Sequence, residues 1–118
     1  MIDIRLNNSS QLAGFAKQQD LAFFLRELCG AEYVHVPLLA PTQELLDAYK
    51  KSKGSWAAFE RGFLALLAAR NVGELVDKAL FREPAALLCS EPAPGCCHRR
   101  LVAEYLDRVW GNMRITHL

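Results

Sequence analysis

The sequence predicts an α/β fold: one three-layer domain over residues 1–118, with a small, mostly parallel sheet of three to four strands flanked by helices. Three observations carry this expectation. Strand-like segments alternate with longer helical ones, an order that pairs strands in parallel through right-handed crossovers. The third strand-like segment is almost wholly apolar, as a strand covered on both faces would be. The chain has 118 residues, 52% hydrophobic and 23% charged, enough to bury a single core without staples.

Residues 1–6 alternate Ile2, Ile4 and Leu6 with Asp3 and Arg5, the period of a strand with one polar face. Residues 7–14, with Asn-Asn-Ser-Ser and Gly14, read as a loop. Asp20 is expected to cap a helix with Leu21, Phe24, Leu25 and Leu28 on one stripe, closed by Gly30. Glu32 to Val36 is the second strand, stopped by Pro37. Thr42 starts a helix carrying Leu45, Leu46 and Tyr49, and Ser55 starts another with Trp56, Phe59, Phe63, Leu66 and Leu67. Asn71 and Glu74 have capping-box spacing and open a helix through Leu80. Pro84 to Cys89 is the third strand, Cys97 to about Trp110 the last helix, and Met113 to Thr116 the fourth strand.

The totals exclude several function classes. With 14 basic and 13 acidic residues the net charge is +1, so no global field draws in nucleic acid or an anionic membrane. No apolar run approaches the ~18 residues of a membrane span. Met1 is followed by Ile2-Asp3-Ile4-Arg5 without a leader pattern, which makes the cytoplasm the default location. The cysteines at 29, 89, 96 and 97 then read as free thiols. Lys50, Lys51 and Lys53 close a helix at its negative end and read as a solvated terminus.

Candidate site residues collect at the carboxyl ends of the strands, where open α/β sheets bind ligands. They are Asp3 and Arg5, Tyr33 and His35, then Cys89 and Glu91. The last helix adds Cys97, His98 and Arg99 in its first turn, with two arginines opposing the helix dipole. At 100° per residue His98 falls in the middle of the arc formed by Leu101, Val102, Tyr105 and Val109, so its ring is expected to face the sheet. A helix start and Arg99 would together activate the Cys97 thiol moderately. Arg100 reads as a solvated partner of Glu104 or Asp107. Zinc on Cys89, Cys97 and His98 is the weaker reading, because paired C-x-x-C knuckles are missing; neither metal nor cofactor is expected.

Together Ile2-Asp3-Ile4-Arg5, Tyr33-Val34-His35-Val36-Pro37, and Leu88-Cys89-Ser90-Glu91-Pro92 leading to Cys97-His98-Arg99 resemble the bacterial and archaeal domain of unknown function 488 family. The resemblance implies a small α/β domain with a polar pocket built from these segments, and supplies no activity. It also implies a strand and helix ahead of the Asp-x-Arg strand. This chain begins at that strand, which suggests an N-terminally truncated form or a partner copy making up the missing element. The loop after Arg5 is Asn7-Asn8-Ser9-Ser10 where the family often carries prolines and basic residues, so nucleic acid is only a weakly supported partner.

Two functions follow. The first is an intracellular thiol-dependent enzyme on a small anionic substrate, such as a nucleotide or modified base. In it Arg5 and Arg99 hold the anion, with Asp3, Tyr33 and His35 in the binding pocket. Cys89 or Cys97 supplies the thiol, and Glu91 or His98 moves protons. The second is a binding or sensing module that uses the same pocket without turnover.

Overall fold

The computed structural model describes residues 1–6, 18–51, 54–90 and 96–117. Three short strands, β1 (Ile2–Asp3), β2 (Val34–His35) and β3 (Leu87–Leu88), form a parallel sheet in the order β2-β1-β3. Ile2 lies opposite Val34 and Leu87, and Asp3 opposite His35 and Leu88. The helices are α1 (Gln18–Phe24), α2 (Gln43–Lys50), α3 (Trp56–Ala69), α4 (Val72–Leu75) and α5 (His98–Trp110). The chain is therefore an α/β protein.

Because side chains alternate across a strand, this register divides the sheet into two chemically different faces. Ile2 and Ile4, with Leu87 and Cys89 beside them, face α3, α4 and α5. Asp3 and Arg5, with His35 beside them, face the other way, the side to which the right-handed crossover rule assigns α1. The first face carries the core: Ile2 and Ile4 cluster with Leu39, Phe59, Phe63, Leu67, Val72, Val76, Leu101, Val102 and Leu106. Burying about eleven such side chains at roughly 1.5–3 kcal/mol each is the main favourable contribution to folding.

Local chemistry sets the helix starts. The Thr42 hydroxyl accepts the Leu45 N–H of α2, and the Ser55 hydroxyl accepts the Ala58 N–H of α3. The Cys97 sulfur accepts the Arg99 N–H of α5 at 3.5 Å. Removing such a cap costs about 1 kcal/mol. Stacked and edge-on contacts run from Tyr49 through Trp56 and Phe59 to Phe63 and join α2 to α3.

The structure departs from the sequence reading at four places. The α1 helix, Gln18–Phe24, carries Asp20 in its first turn and then widens into a π turn over Leu25–Cys29. Gly30 ends it in the left-handed conformation (φ 62°), as expected. Its apolar stripe is not buried, however: Phe24 is 41% and Leu28 77% exposed. The helix expected from Asn71 through Leu80 is broken. Asn71 itself adopts φ 55° and gives no side-chain cap, α4 stops at Leu75, and Val76 is extended. The Asp77 carboxylate then caps a separate 3₁₀ turn, Lys78–Phe81.

The third strand is an edge, not a doubly covered strand: Ala85 and Ala86 are exposed, and Leu87 and Leu88 half-buried. Finally, residues 113–116 form no strand. Gly111 (φ 74°) and Asn112 (φ 58°) turn the chain away, and the Asp107 carboxylate takes the Met113 N–H at 3.1 Å. That hydrogen bond competes with any pairing to β3.

Candidate functional site

Strand order β2-β1-β3 means that the chain leaves β1 in one direction and returns on its other side. The crevice between the carboxyl ends of β1 and β3 is thus the topological switch point where such sheets bind ligands. Cys89 directly follows β3 there, and the first turn of α5 arrives opposite it.

His98 joins the two elements. Its Nε2 lies 2.8 Å from the carbonyl oxygen of Ile4, just past the end of β1, and its Nδ1 lies 3.4 Å from Cys89 Sγ. A carbonyl oxygen only accepts, so Nε2 carries the ring hydrogen and Nδ1 of the neutral ring is an acceptor facing the Cys89 thiol. The edge of Phe63 packs against the imidazole, centroids 5.6 Å apart at 79°. Together the carbonyl and the phenyl ring fix its orientation. His98 is 8% and Cys89 9% exposed, while Cys97 is fully buried.

Cys97 completes this cluster, and the ligand atoms of Cys89, Cys97 and His98 all lie within 4.8 Å of one another. A hydrogen bond with Cys89, followed by burial, pushes the Cys97 thiol well above the ordinary range. These outweigh the lowering by the Arg99 N–H and charge. The activation expected of Cys97 from its helix position is therefore reversed, because a helix start acts on an anion only where burial does not forbid the anion.

The opposite face of β1 holds a second cluster. Arg5 grips Asp3 through Nε to Oδ1 (2.9 Å) and Nη2 to Oδ2 (2.8 Å), and the Arg5 backbone N–H also donates to Oδ1 at 3.0 Å. The Tyr33 hydroxyl donates to Asp3 Oδ2. Burial alone would raise the Asp3 carboxyl, but the hydrogen bonds from Arg5 and Tyr33 more than offset it, leaving its pKa below the ordinary carboxylate value. Arg5 is held further above its own ordinary value, chiefly by the hydrogen bonds to Asp3. His35 Nε2 meets the Arg5 carbonyl oxygen at 2.9 Å. Two histidines from opposite faces thus satisfy the consecutive Ile4 and Arg5 carbonyls where β1 ends.

The single crevice expected to hold all nine candidates is therefore two clusters back to back across β1. Asp3, Arg5, Tyr33 and His35 form one, and Cys89, Cys97 and His98 the other. The Arg99 backbone N–H reaches Cys97, and the residue also lines a cleft of about 380 Å³ beside the edge of β3, together with Leu87, Ala103, Arg114 and His117. Glu91 lies outside the described residues, as does the stretch 7–14 expected to be a loop. Arg100 forms ion pairs with Glu104 at 3.3 Å and Glu60 at 3.6 Å. Sequence reasoning missed the Ile4 carbonyl and Phe63. A backbone acceptor leaves no mark on residue type, and Phe63 reads simply as helix stripe.

Fold and site define a small parallel α/β domain with a cysteine–histidine pair at its switch point. The family model described as Domain of unknown function DUF488 matches residues 1–106, and the chain belongs to that family. No curated protein and no solved structure matches it. Among the described residues, no helix is long and apolar enough to cross a membrane.

Proposed function

We propose that the chain is a thiol-dependent enzyme acting on a small anionic substrate, with Cys89 as nucleophile and His98 as its base. The observation that carries this reading is the approach of Cys89 Sγ to His98 Nδ1, with the tautomer set by Ile4. In the reaction the Cys89 proton passes to Nδ1, the Ile4 carbonyl stabilises the imidazolium, and the thiolate attacks an electrophilic carbon of the substrate, displacing a leaving group that departs with the bonding electron pair and takes the proton from Nδ1. Proton acceptance of this kind contributes typically about 10²–10⁴-fold. Cys97 serves as a buried neighbour, not as nucleophile.

The neighbouring cleft supports an anionic substrate of nucleotide or modified-base size. Its volume of about 380 Å³ lies within the usual range for small-molecule sites, and Arg99, Arg114 and His117 line it. Leu87, which also lines it, shares a strand face with Cys89. Arg5 is engaged by Asp3 and Tyr33 and acts here as a positioning residue for the end of β1.

A second reading, a binding module without turnover, draws on the burial of Cys89, since buried free cysteines are usually inert packing. Limited alkylation of the reduced protein with iodoacetamide at pH 7, read by peptide mass spectrometry, separates the two. The enzyme reading expects Cys89 to react ahead of the exposed Cys29 and Cys96, and His98→Gln to slow it at least ~10-fold. Modification of Cys29 and Cys96 with Cys89 untouched would remove the nucleophile and leave the binding module.

A further inference from the structure

We infer that Cys89, Cys97 and His98 form a binding site for a thiophilic divalent cation of the Zn²⁺ class. The inference does not depend on turnover at Cys89, because the ligand set is the same for an enzyme and for a binding module.

The geometry points there first. A tetrahedral zinc centre with Zn–S near 2.3 Å and Zn–N near 2.0–2.1 Å has ligand–ligand edges of about 3.6 Å for S···N and about 3.8 Å for S···S. Cys89 Sγ to His98 Nδ1 is already 3.4 Å, and all three ligand atoms lie within 4.8 Å of one another. Shifts of about 1 Å, within rotamer adjustment, would bring the other two sides of the triangle to those lengths.

The surroundings are those of a metal site. A ligating histidine usually donates its other ring N–H to a carbonyl or carboxylate, which fixes the tautomer and ring plane. His98 donates from Nε2 to the Ile4 carbonyl at 2.8 Å and so presents the bare Nδ1 lone pair to the cysteines. The Arg99 backbone N–H donates to Cys97 Sγ at 3.5 Å and would stabilise the charge on that sulfur when it binds metal. Two sulfurs and an imidazole select soft or borderline ions over Mg²⁺ and Ca²⁺, which require oxygen ligands.

Charge balance also favours a divalent ion. On binding, Cys89 and Cys97 each release one proton to solvent while neutral His98 releases none. The resulting unit of M²⁺ and two thiolates is formally neutral, and burial of a neutral unit avoids the desolvation cost of an isolated charge. A fourth position remains for water or substrate. Since Cys89 would be a ligand, the bound ion would mask its thiol.

Cobalt(II) is the probe. Titrating the reduced full-length chain with CoCl₂ is expected to give sulfur-to-cobalt charge-transfer absorption in the near ultraviolet, with intense tetrahedral bands in the visible, saturating at one equivalent. The signal should persist in Cys29→Ser/Cys96→Ser. In Cys97→Ser, where serine retains the helix cap, affinity should fall at least ~10-fold. Bound cobalt should also slow Cys89 alkylation at least ~10-fold. Absence of the charge-transfer band, or its loss in Cys29→Ser/Cys96→Ser with retention in Cys97→Ser, would overturn the inference. Fast Cys89 alkylation with no cobalt band would overturn this site alone and leave the proposed enzyme standing. Cobalt binding with slow Cys89 alkylation in the metal-free chain would do the reverse.

Discussion

Replacing Asp3 with alanine is expected to cost about 3–5 kcal/mol, the range for removing one member of a buried ion pair. That is a large part of the ~5–15 kcal/mol that stabilises a typical domain, and for a chain of this length it should lower Tm by roughly 10–20 °C. Asp3 is fully buried and accepts from the Arg5 guanidinium twice, from the Arg5 backbone and from Tyr33. Alanine would leave the guanidinium buried without its counter-charge and would free the turn that ends β1. The double variant Asp3→Ala/Arg5→Ala should lose less than the sum of the two single changes, with a coupling of about 1–3 kcal/mol in a double-mutant cycle. Acid should act on the same group. Because the folded-state pKa of Asp3 lies below its unfolded value, its contribution is fully present above about pH 4–5 and is lost as pH falls through the folded pKa. Urea denaturation between pH 6 and pH 2 checks this: the wild-type chain should lose stability more steeply than Asp3→Ala. Equal acid slopes, or a loss under 1 kcal/mol in the alanine variant, would contradict the account.

Phe63→Ala should be of similar size, about 3–5 kcal/mol, the cost of deleting a core phenylalanine and leaving its cavity. Phe63 is fully buried, stacks on Phe59 at 5.9 Å and places its edge against His98. It links the aromatic row on α3 to the imidazole at the start of α5. Phe63→Leu keeps most of the volume and should cost roughly 1–1.5 kcal/mol. Denaturant midpoints of the two variants measure the difference. A Phe63→Ala loss no larger than that of Phe63→Leu would mean that the ring does not fill the space between α3 and α5.

Parallel pairing was legible from the alternation of strand and helix, and the polar face of the first strand from Asp3 and Arg5 alternating with Ile2 and Ile4. The His98 ring also lies where the 100° rotation of α5 directs it. Legibility failed where the outcome depended on register or on competition between acceptors. Nothing in the residue types of Tyr33, His35, Cys89 and His98 says which pair shares a face of β1; only the Asp3–His35 and Asp3–Leu88 pairings decide that. Met113 to Thr116 has strand composition, yet the Asp107 carboxylate and two positive-φ residues remove it from the sheet. Cys97 at a helix start suggests an activated thiol, and its hydrogen bond with Cys89, followed by burial, reverses the sign. Asn71 and Glu74 match a capping box by spacing, but the left-handed backbone at Asn71 takes its side chain out of capping position.

The end of β1 holds His98 as the Nε2–H tautomer and thereby turns a bare Nδ1 toward the Cys89 sulfur. Long-range proton–nitrogen correlation NMR of the reduced, metal-free chain at neutral pH reads both ring nitrogens directly. The expected result is a protonated Nε2 and an unprotonated, hydrogen-bonded Nδ1 whose resonance shifts in Cys89→Ala. A hydrogen on Nδ1, or a Nδ1 resonance indifferent to Cys89→Ala, would contradict it.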